Sequence, residues 1–204
     1  MLETLAEGFL EGIANMTWME GIAFVFGVIS VWFEKQENIL VFPTGLVNVF
    51  LSIYVCFTVG LYADMGINAY YFAVSIYGWI NWSRTKNGDN VLQITYSSLS
   101  EHLKSATLTA LSFVVIYFLL NNLTNSDVPL WDALTTSLFI TAMWLVAHKK
   151  IENWHYWIAG NLISIPLYFS KGLMLFSAQY VIFFGLAIWG LVSWRGRVGT
   201  TFCK

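Results

Sequence analysis

The residues with chemistry to offer sit in two apolar stretches. In ENWHYWIAGNLISIPLYFSKG (152–172), Trp157, Asn161, Ser164 and Tyr168 recur at i, i+4, i+7 and i+11, which puts one aromatic and polar stripe on a single helix face. Amides and hydroxyls donate and accept hydrogen bonds, and an indole face attracts cations. Such a set suits the binding of a small polar or cationic solute. Polar side chains in hydrocarbon need partners, so the stripe must face protein or a water-filled cavity. ENILVFPTGLVNVFLSIYVCFTVGL (37–61) is a weaker echo, with Thr44, Asn48 and Ser52 at i, i+4 and i+8 just after Pro43. The two stretches predict helices facing each other across a solute pathway. Asn68, Tyr71, Ser75 and Trp79, and then Gln179, Tyr180 and Phe183, extend that surface into two further apolar runs. The competing explanation, strongest for Ser and Thr, is that these groups glue helices together at about 0.6 kcal/mol per bond.

Signals for bond-making chemistry are missing. No nucleophile elbow, phosphate loop or zinc motif occurs, and His148 and His155 lack metal-ligand spacing. The chain is therefore not expected to be an enzyme, nor to use a metal, a cofactor or nucleic acid. Cys56 and Cys203 make no disulfide framework and are expected as two thiols on opposite sides of a membrane.

The elements that must position these residues follow from composition. Of 204 residues 57% are hydrophobic and 11% charged, against roughly 25% charged in soluble domains. That marks an all-α polytopic membrane protein. Seven candidate spans lie near 17–33, 39–59, 66–83, 104–120, 130–147, 154–170 and 174–194. Residues 1–16 have no basic n-region of a signal peptide; Leu2, Leu5, Phe9, Ile13 and Met16 oppose Glu3, Glu7 and Glu11, predicting an amphipathic helix on the membrane surface or a cap on the bundle. A polar connector from Arg84 to His102, with a turn signal at Asn87-Gly88-Asp89, divides the chain into halves.

Orientation comes from the basic residues. Lys35, Arg84, Lys86, Lys104, Lys149, Lys150, Arg195, Arg197 and Lys204 fall on one side, and Lys171 alone on the other. Positive charge collects on the cytoplasmic side, so the N-terminus is expected outside and the C-terminus inside.

A repeat organises the halves. Glu37-Asn38 matches Glu152-Asn153, and Gly45 matches Gly160; after a three-residue slip, Gly60-Leu61, Gly78 and Trp82 match Gly172-Leu173, Gly190 and Trp194. The shift contains four spans, an even number, so the repeats run parallel about an axis along the membrane normal. The expected division is 17–83 as the first three-helix repeat, 84–129 as cytoplasmic connector and linking helix, 130–194 as the second repeat, and 195–204 as a cytoplasmic tail. A solute site then falls between the halves. Pro43 and Pro166 are expected to act as matched flexible points for alternating access.

Every acid and base can be placed in a tail, a loop or a span end, with Glu20 and Asp132 at outer ends. A charge at the bilayer centre costs at least about 2.5–3.5 kcal/mol and is kept for function, so its absence argues against ion coupling and for passive movement. Trp18, Trp32, Trp82, Trp131 and Trp194 are expected in the interfacial aromatic belts.

The W-x-x-x-N element, the Ile-Pro-Leu-Tyr run and the Lys-Gly exit of 152–172 resemble those of the PnuC family of bacterial nicotinamide riboside transporters, and the resemblance covers most of residues 17–195. It implies a 3+1+3 fold related to the SWEET sugar facilitators, a multi-pass place in the bacterial inner membrane, and trimers. It also implies facilitated diffusion, with trapping by a cytoplasmic riboside kinase. Nicotinamide riboside has a pyridinium cation, a carboxamide and ribose hydroxyls, which suit an aromatic cage beside amides. The expected site is Trp154, Trp157 and Asn161, with Gln179, Tyr180, Asn48 and Thr44 opposite. The alternatives are a SWEET-like facilitator of a sugar or another nucleoside-like solute and, in a different class, a heptahelical receptor or scaffold.

Overall fold

The computed structural model describes residues 9–10, 12–14, 16–58, 62–86, 89–90, 92–124 and 127–198. Seven long helices account for most of them: α1 (Trp18–Lys35), α2 (Val41–Thr58), α3 (Tyr62–Trp82), α4 (Leu99–Leu123), α5 (Pro129–Ala147), α6 (Asn153–Ser170) and α7 (Met174–Arg195). Each overlaps one predicted apolar run. Four of them, α2, α4, α5 and α7, are apolar enough over a sufficient length to cross a membrane. The other three carry more polar sequence: α1 holds Glu20, Glu34 and Lys35, and α3 and α6 hold the aromatic and amide residues of the candidate site.

Local chemistry sets the helix ends. Reciprocal capping boxes start α1, where Thr17 pairs with Glu20, and α4, where Ser98 pairs with Glu101. The second box begins α4 at Leu99, five residues ahead of the expected span. Pro129 opens α5, where its missing N–H is no loss. α6 closes on Gly172 at φ +74°, with Leu173 N–H donating to the Tyr168 carbonyl at 2.9 Å and Gly172 N–H to that of Phe169 at 3.0 Å.

The same closing turn recurs, without glycine, after α1 and α5. Glu37 and Lys149 take the left-handed position at φ 60° and 50°. Asn38 N–H reaches the Phe33 carbonyl, and Lys150 N–H that of Leu145. What makes the unfavourable backbone tolerable is visible between them: Lys149 Nζ meets Glu37 Oε1 at 2.7 Å, and the Lys149 side chain is 2% exposed.

Packing follows the order of the chain. α1, α2 and α3 pack in sequence, as do α5, α6 and α7; α1 also meets α7, α3 meets α5, and α4 packs on α5. Matched contacts tie the two sets. Trp82 Nε1–H donates to the Val146 carbonyl at 3.0 Å, and Trp194 Nε1–H to the Glu34 carbonyl at 3.0 Å. Phe42 stands edge-on to Trp82 at 5.1 Å, and Trp154 edge-on to Trp194 at 5.5 Å. Gly78 and Gly190 make room, since a Cβ there would lie 2.5 Å from Phe42 and 2.3 Å from Trp154. These residues form one buried layer across the bundle.

Three expectations change here. Trp82 and Trp194 are not belt residues: at 3% and 0% exposure they belong to that layer, because small glycines one turn away let large rings close over them. Trp18 and Trp131 are exposed, as a belt requires. The Glu37-Asn38/Glu152-Asn153 match is also not structural. Glu37 corresponds to Lys149 by its turn, while Glu152 Oε2 accepts from the Ser97 hydroxyl at 2.8 Å. Finally, Pro43 lies in the first turn of α2, where no helical hydrogen bond is lost, so it is no counterpart to Pro166 inside α6.

The connector is less loop-like than its composition suggests. Thr85–Lys86 pairs antiparallel with Asp89–Asn90, and Thr95 bridges to the α5–α6 turn through Lys149 and Ile151. Asn87 and Gly88 lie outside the described residues, as do Cys203 and most of the predicted N-terminal helix. Among its described residues, Gly12 packs on Leu175 at the start of α7.

Candidate functional site

A cavity of about 1300 Å³ runs between the two helix sets. Small-molecule pockets usually span roughly 300–1,000 Å³, so this is a pathway-sized space. One end is bordered by Phe9, Ile13 and Met16 with Leu175, and the other stops on Phe42, Val146 and Trp154 of the buried layer. α2 and α6 both line it, as the paired polar stripes predict.

Six of the seven expected site residues border this space: Trp154, Trp157, Asn161, Asn48, Gln179 and Tyr180. Thr44 does not. Its hydroxyl donates to the Leu40 carbonyl one turn back, at 2.6 Å, the commonest use of a helical threonine in a nonpolar setting. Asn48 lines the cavity but is committed as well, donating from Nδ2 to the Ala23 carbonyl at 2.6 Å. Close approach of α1 at Gly27, where a Cβ would sit 3.1 Å from Asn48 Nδ2, makes that bond possible.

Asn161 and Gln179 are different. Each borders the cavity, and neither side chain hydrogen-bonds to a described residue. Asn161 is 3% exposed. Amides held this way offer both a donor and an acceptor to a solute. Beside them, Phe139 lies between Trp157, at 5.4 Å, and Tyr180, against which it stacks at 6.1 Å. Tyr180 also contacts Tyr168 at 5.0 Å. Gly160 admits the Phe139 ring to α6, since a Cβ there would be 2.2 Å from it. The result is an aromatic wall with unengaged amides next to it.

Sequence reasoning missed two residues. Phe139 carries no polar signal and could not be told from lipid-facing phenylalanine. Glu34 is one of the acids assigned collectively to tails, loops and span ends; it lies in the last turn of α1, 4% exposed, and borders the cavity. Its Oε1 has no hydrogen-bond partner, and the Trp157 indole N–H lies beside the carboxyl without a well-formed bond. The adjacent Lys35 forms no ion pair with it among the described residues; its Nζ sits 3.0 Å from the centre of the Trp189 ring. The expectation of a pathway without ionisable groups is therefore corrected.

No group of His, Cys, Asp and Glu among the described residues could hold a metal ion. His148 donates from Nδ1–H to the Trp144 carbonyl at 2.8 Å, which leaves Nε2 to accept from the Tyr77 hydroxyl at 3.1 Å.

Apolar helices of spanning length around a polar-aromatic space between two helix sets are what a membrane transporter requires. The family model described as Nicotinamide mononucleotide transporter matches residues 17–196, and the chain belongs to that family. It is 26% identical to the nicotinamide riboside transporter PnuC of Escherichia coli K12, over 88% of this chain and 86% of that one. It is 24% identical to the riboflavin/roseoflavin transporter RibM of Streptomyces davaonensis, over 93% and 90%. The crystal structure of the vitamin B3 transporter PnuC superposes with a TM-score of 0.71 at 25% identity, covering 97% of this chain and 89% of that one. The chain is thus a multi-pass protein of the bacterial inner membrane, and its relatives are transporters rather than enzymes.

Proposed function

We propose that the chain carries nicotinamide riboside into the cell by facilitated diffusion, supplying a precursor of NAD. The observation that carries the substrate is the pair of unengaged amides, Asn161 and Gln179, beside the Trp157–Phe139–Tyr180 wall, while facilitated diffusion is what the resemblance to the family implies. The amides suit the carboxamide and ribose hydroxyls, and the indole faces suit a pyridinium ring. Trp154, Trp157, Asn161, Gln179 and Tyr180 are the proposed contacts. Asn48 and Thr44 join them only by giving up the bonds they now make.

Riboside is favoured over mononucleotide by charge. The described residues bordering the cavity include Glu20 and Glu34 and no Lys or Arg, so a phosphate would meet no cation there. The sugar reading has no support among the relatives, whose names are those of vitamin transporters.

All seven helices are proposed to span the membrane as three, one and three, in a SWEET-like parallel repeat with the N-terminus outside. Support comes from the matched Trp82 and Trp194 bonds, from the matched α3–α5 and α1–α7 contacts, and from the basic residues. α4 exposes Leu103, Leu111, Val114 and Phe118, which suits lipid or a neighbouring copy; trimers and a kinase that traps the product follow from the resemblance. In this topology the buried layer closes the cytoplasmic end, and transport is alternating access of the two repeats.

The test is uptake of labelled riboside into liposomes holding the purified chain. Saturable entry that stops at equal concentrations, unaffected by imposed sodium or proton gradients, is expected. Accumulation driven by either gradient would overturn the uniport.

A further inference from the structure

Among the described residues bordering this cavity, Glu34 carries a carboxyl group that fold and packing do not account for. Its backbone has a clear structural duty, because the carbonyl accepts the Trp194 indole N–H. The matched bond, from Trp82, ends on the carbonyl of Val146, which also borders the cavity. At one of two equivalent places the side chain is apolar, and at the other it is a carboxylate. The packing role therefore requires no charge.

Leaving a carboxylate there is unfavourable by itself. It is nine-tenths buried, Oε1 has no hydrogen-bond partner, and no ion pair includes it among the described residues. The nearby cations are otherwise engaged: Lys35 over Trp189 and Trp32, Lys149 with Glu37. What stands beside it is aromatic, with the Trp157 indole N–H next to the carboxyl. A buried carboxylate against indole rings, facing an open space, matches an organic cation whose charge is spread over a flat ring.

We propose that Glu34 is the counter-ion for the substrate's cationic ring, so that the site selects an N-alkylpyridinium over its uncharged analogue. The carboxylate supplies charge recognition, and the Trp157 face supplies the stacking surface. This deepens the reading of the cavity as a nicotinamide riboside site and rests on it. The charge at Glu34 then decides between solutes that share shape and hydroxyls but differ in formal charge.

The two oxidation states of the riboside separate these effects, since the reduced form has an uncharged dihydropyridine ring on the same ribose. The detergent-purified full chain, Glu34→Gln and Glu34→Val are titrated calorimetrically with oxidised riboside, reduced riboside and riboflavin. Val is the residue the matched position already carries, so the second variant guards against a folding defect in the first. Unchanged melting temperatures establish that each variant is intact. The expected result is tighter binding of the oxidised form by the unaltered chain, with both variants weakening it by about 30-fold or more while changing the reduced form less than about threefold. Equal losses for both forms, or no loss for the oxidised form, would overturn the counter-ion role while leaving the riboside reading intact. Failure of the unaltered chain to bind either form, with or without binding of riboflavin, would overturn both.

Discussion

At the scale of the residue, the cavity separates polar groups that hold the fold from those left for a solute. Asn48 and Thr44 spend their hydrogen bonds on backbone carbonyls, whereas Asn161 and Gln179 do not. The sequence could rank these four only by residue type and spacing, which set Thr44 apart and left the three amides undistinguished. Distinguishing them required knowing which backbone passes close to each. Trp157→Ala is expected to weaken riboside binding by about 2- to 30-fold, the range of a cation–π contact. Asn161→Ala should lose roughly fivefold, the worth of one hydrogen bond. Thr44→Val should change affinity little. Calorimetric titration of the three variants checks the order, and a Thr44 effect as large as that of Asn161 would contradict it.

At the scale of the element, glycine and the helix-closing turns set how near the helices come. Gly190 faces Trp154, and Gly190→Ala would drive a Cβ to 2.3 Å from the indole, so a loss of about 1–3 kcal/mol is expected. Gly185, in the same helix, has nothing within 4 Å; Gly185→Ala should be neutral or gain up to about 1 kcal/mol from helix propensity. Melting temperatures in detergent distinguish the two. The sequence marked Gly78 and Gly190 as repeat positions but gave no reason for them, because the rings they admit are far away in the chain. The turns at Glu37 and Lys149 make a second case. Glu37→Ala leaves Lys149 buried without its partner and should destabilise by about 3–5 kcal/mol. Changing both to Gly removes the charges together and relieves two left-handed residues, so the double variant should be more stable than Glu37→Ala alone.

At the scale of the whole molecule, the two helix sets meet at a layer of large rings that ends the cavity. Trp82, Trp194, Phe42 and Trp154 lie there, and the Glu37–Lys149 pair joins the two matching turns. The connector is fastened to the same end: Lys150 pairs with Glu101 at 2.8 Å, and Ser97 with Glu152. This end is proposed to face the cytoplasm. An Arg84→Cys variant, made with Cys56→Ala and Cys203→Ala, should react with an impermeant maleimide only when the inner membrane face is exposed. Reaction in intact spheroplasts would reverse the orientation.

What the sequence determined by itself is what depends on local pattern. Apolar runs separated by polar turns give the seven helices, because burial of the helical backbone needs only a continuous apolar stretch. The helical periodicity of Trp157 and Asn161 marks the face that must avoid lipid, and the spacing of Gly78, Trp82, Gly190 and Trp194 exposes two alike halves. Tertiary structure alone decided which polar group meets which carbonyl, why two tryptophans leave the membrane interface for the core, and that Glu34 turns to the cavity while Lys35 turns to the Trp189 and Trp32 rings. Adjacent residues on a helix point about 100° apart, so neighbours in sequence face different surroundings once the other helices are in place. Charge at a helix end is legible in a sequence, but its direction is set by what packs against it.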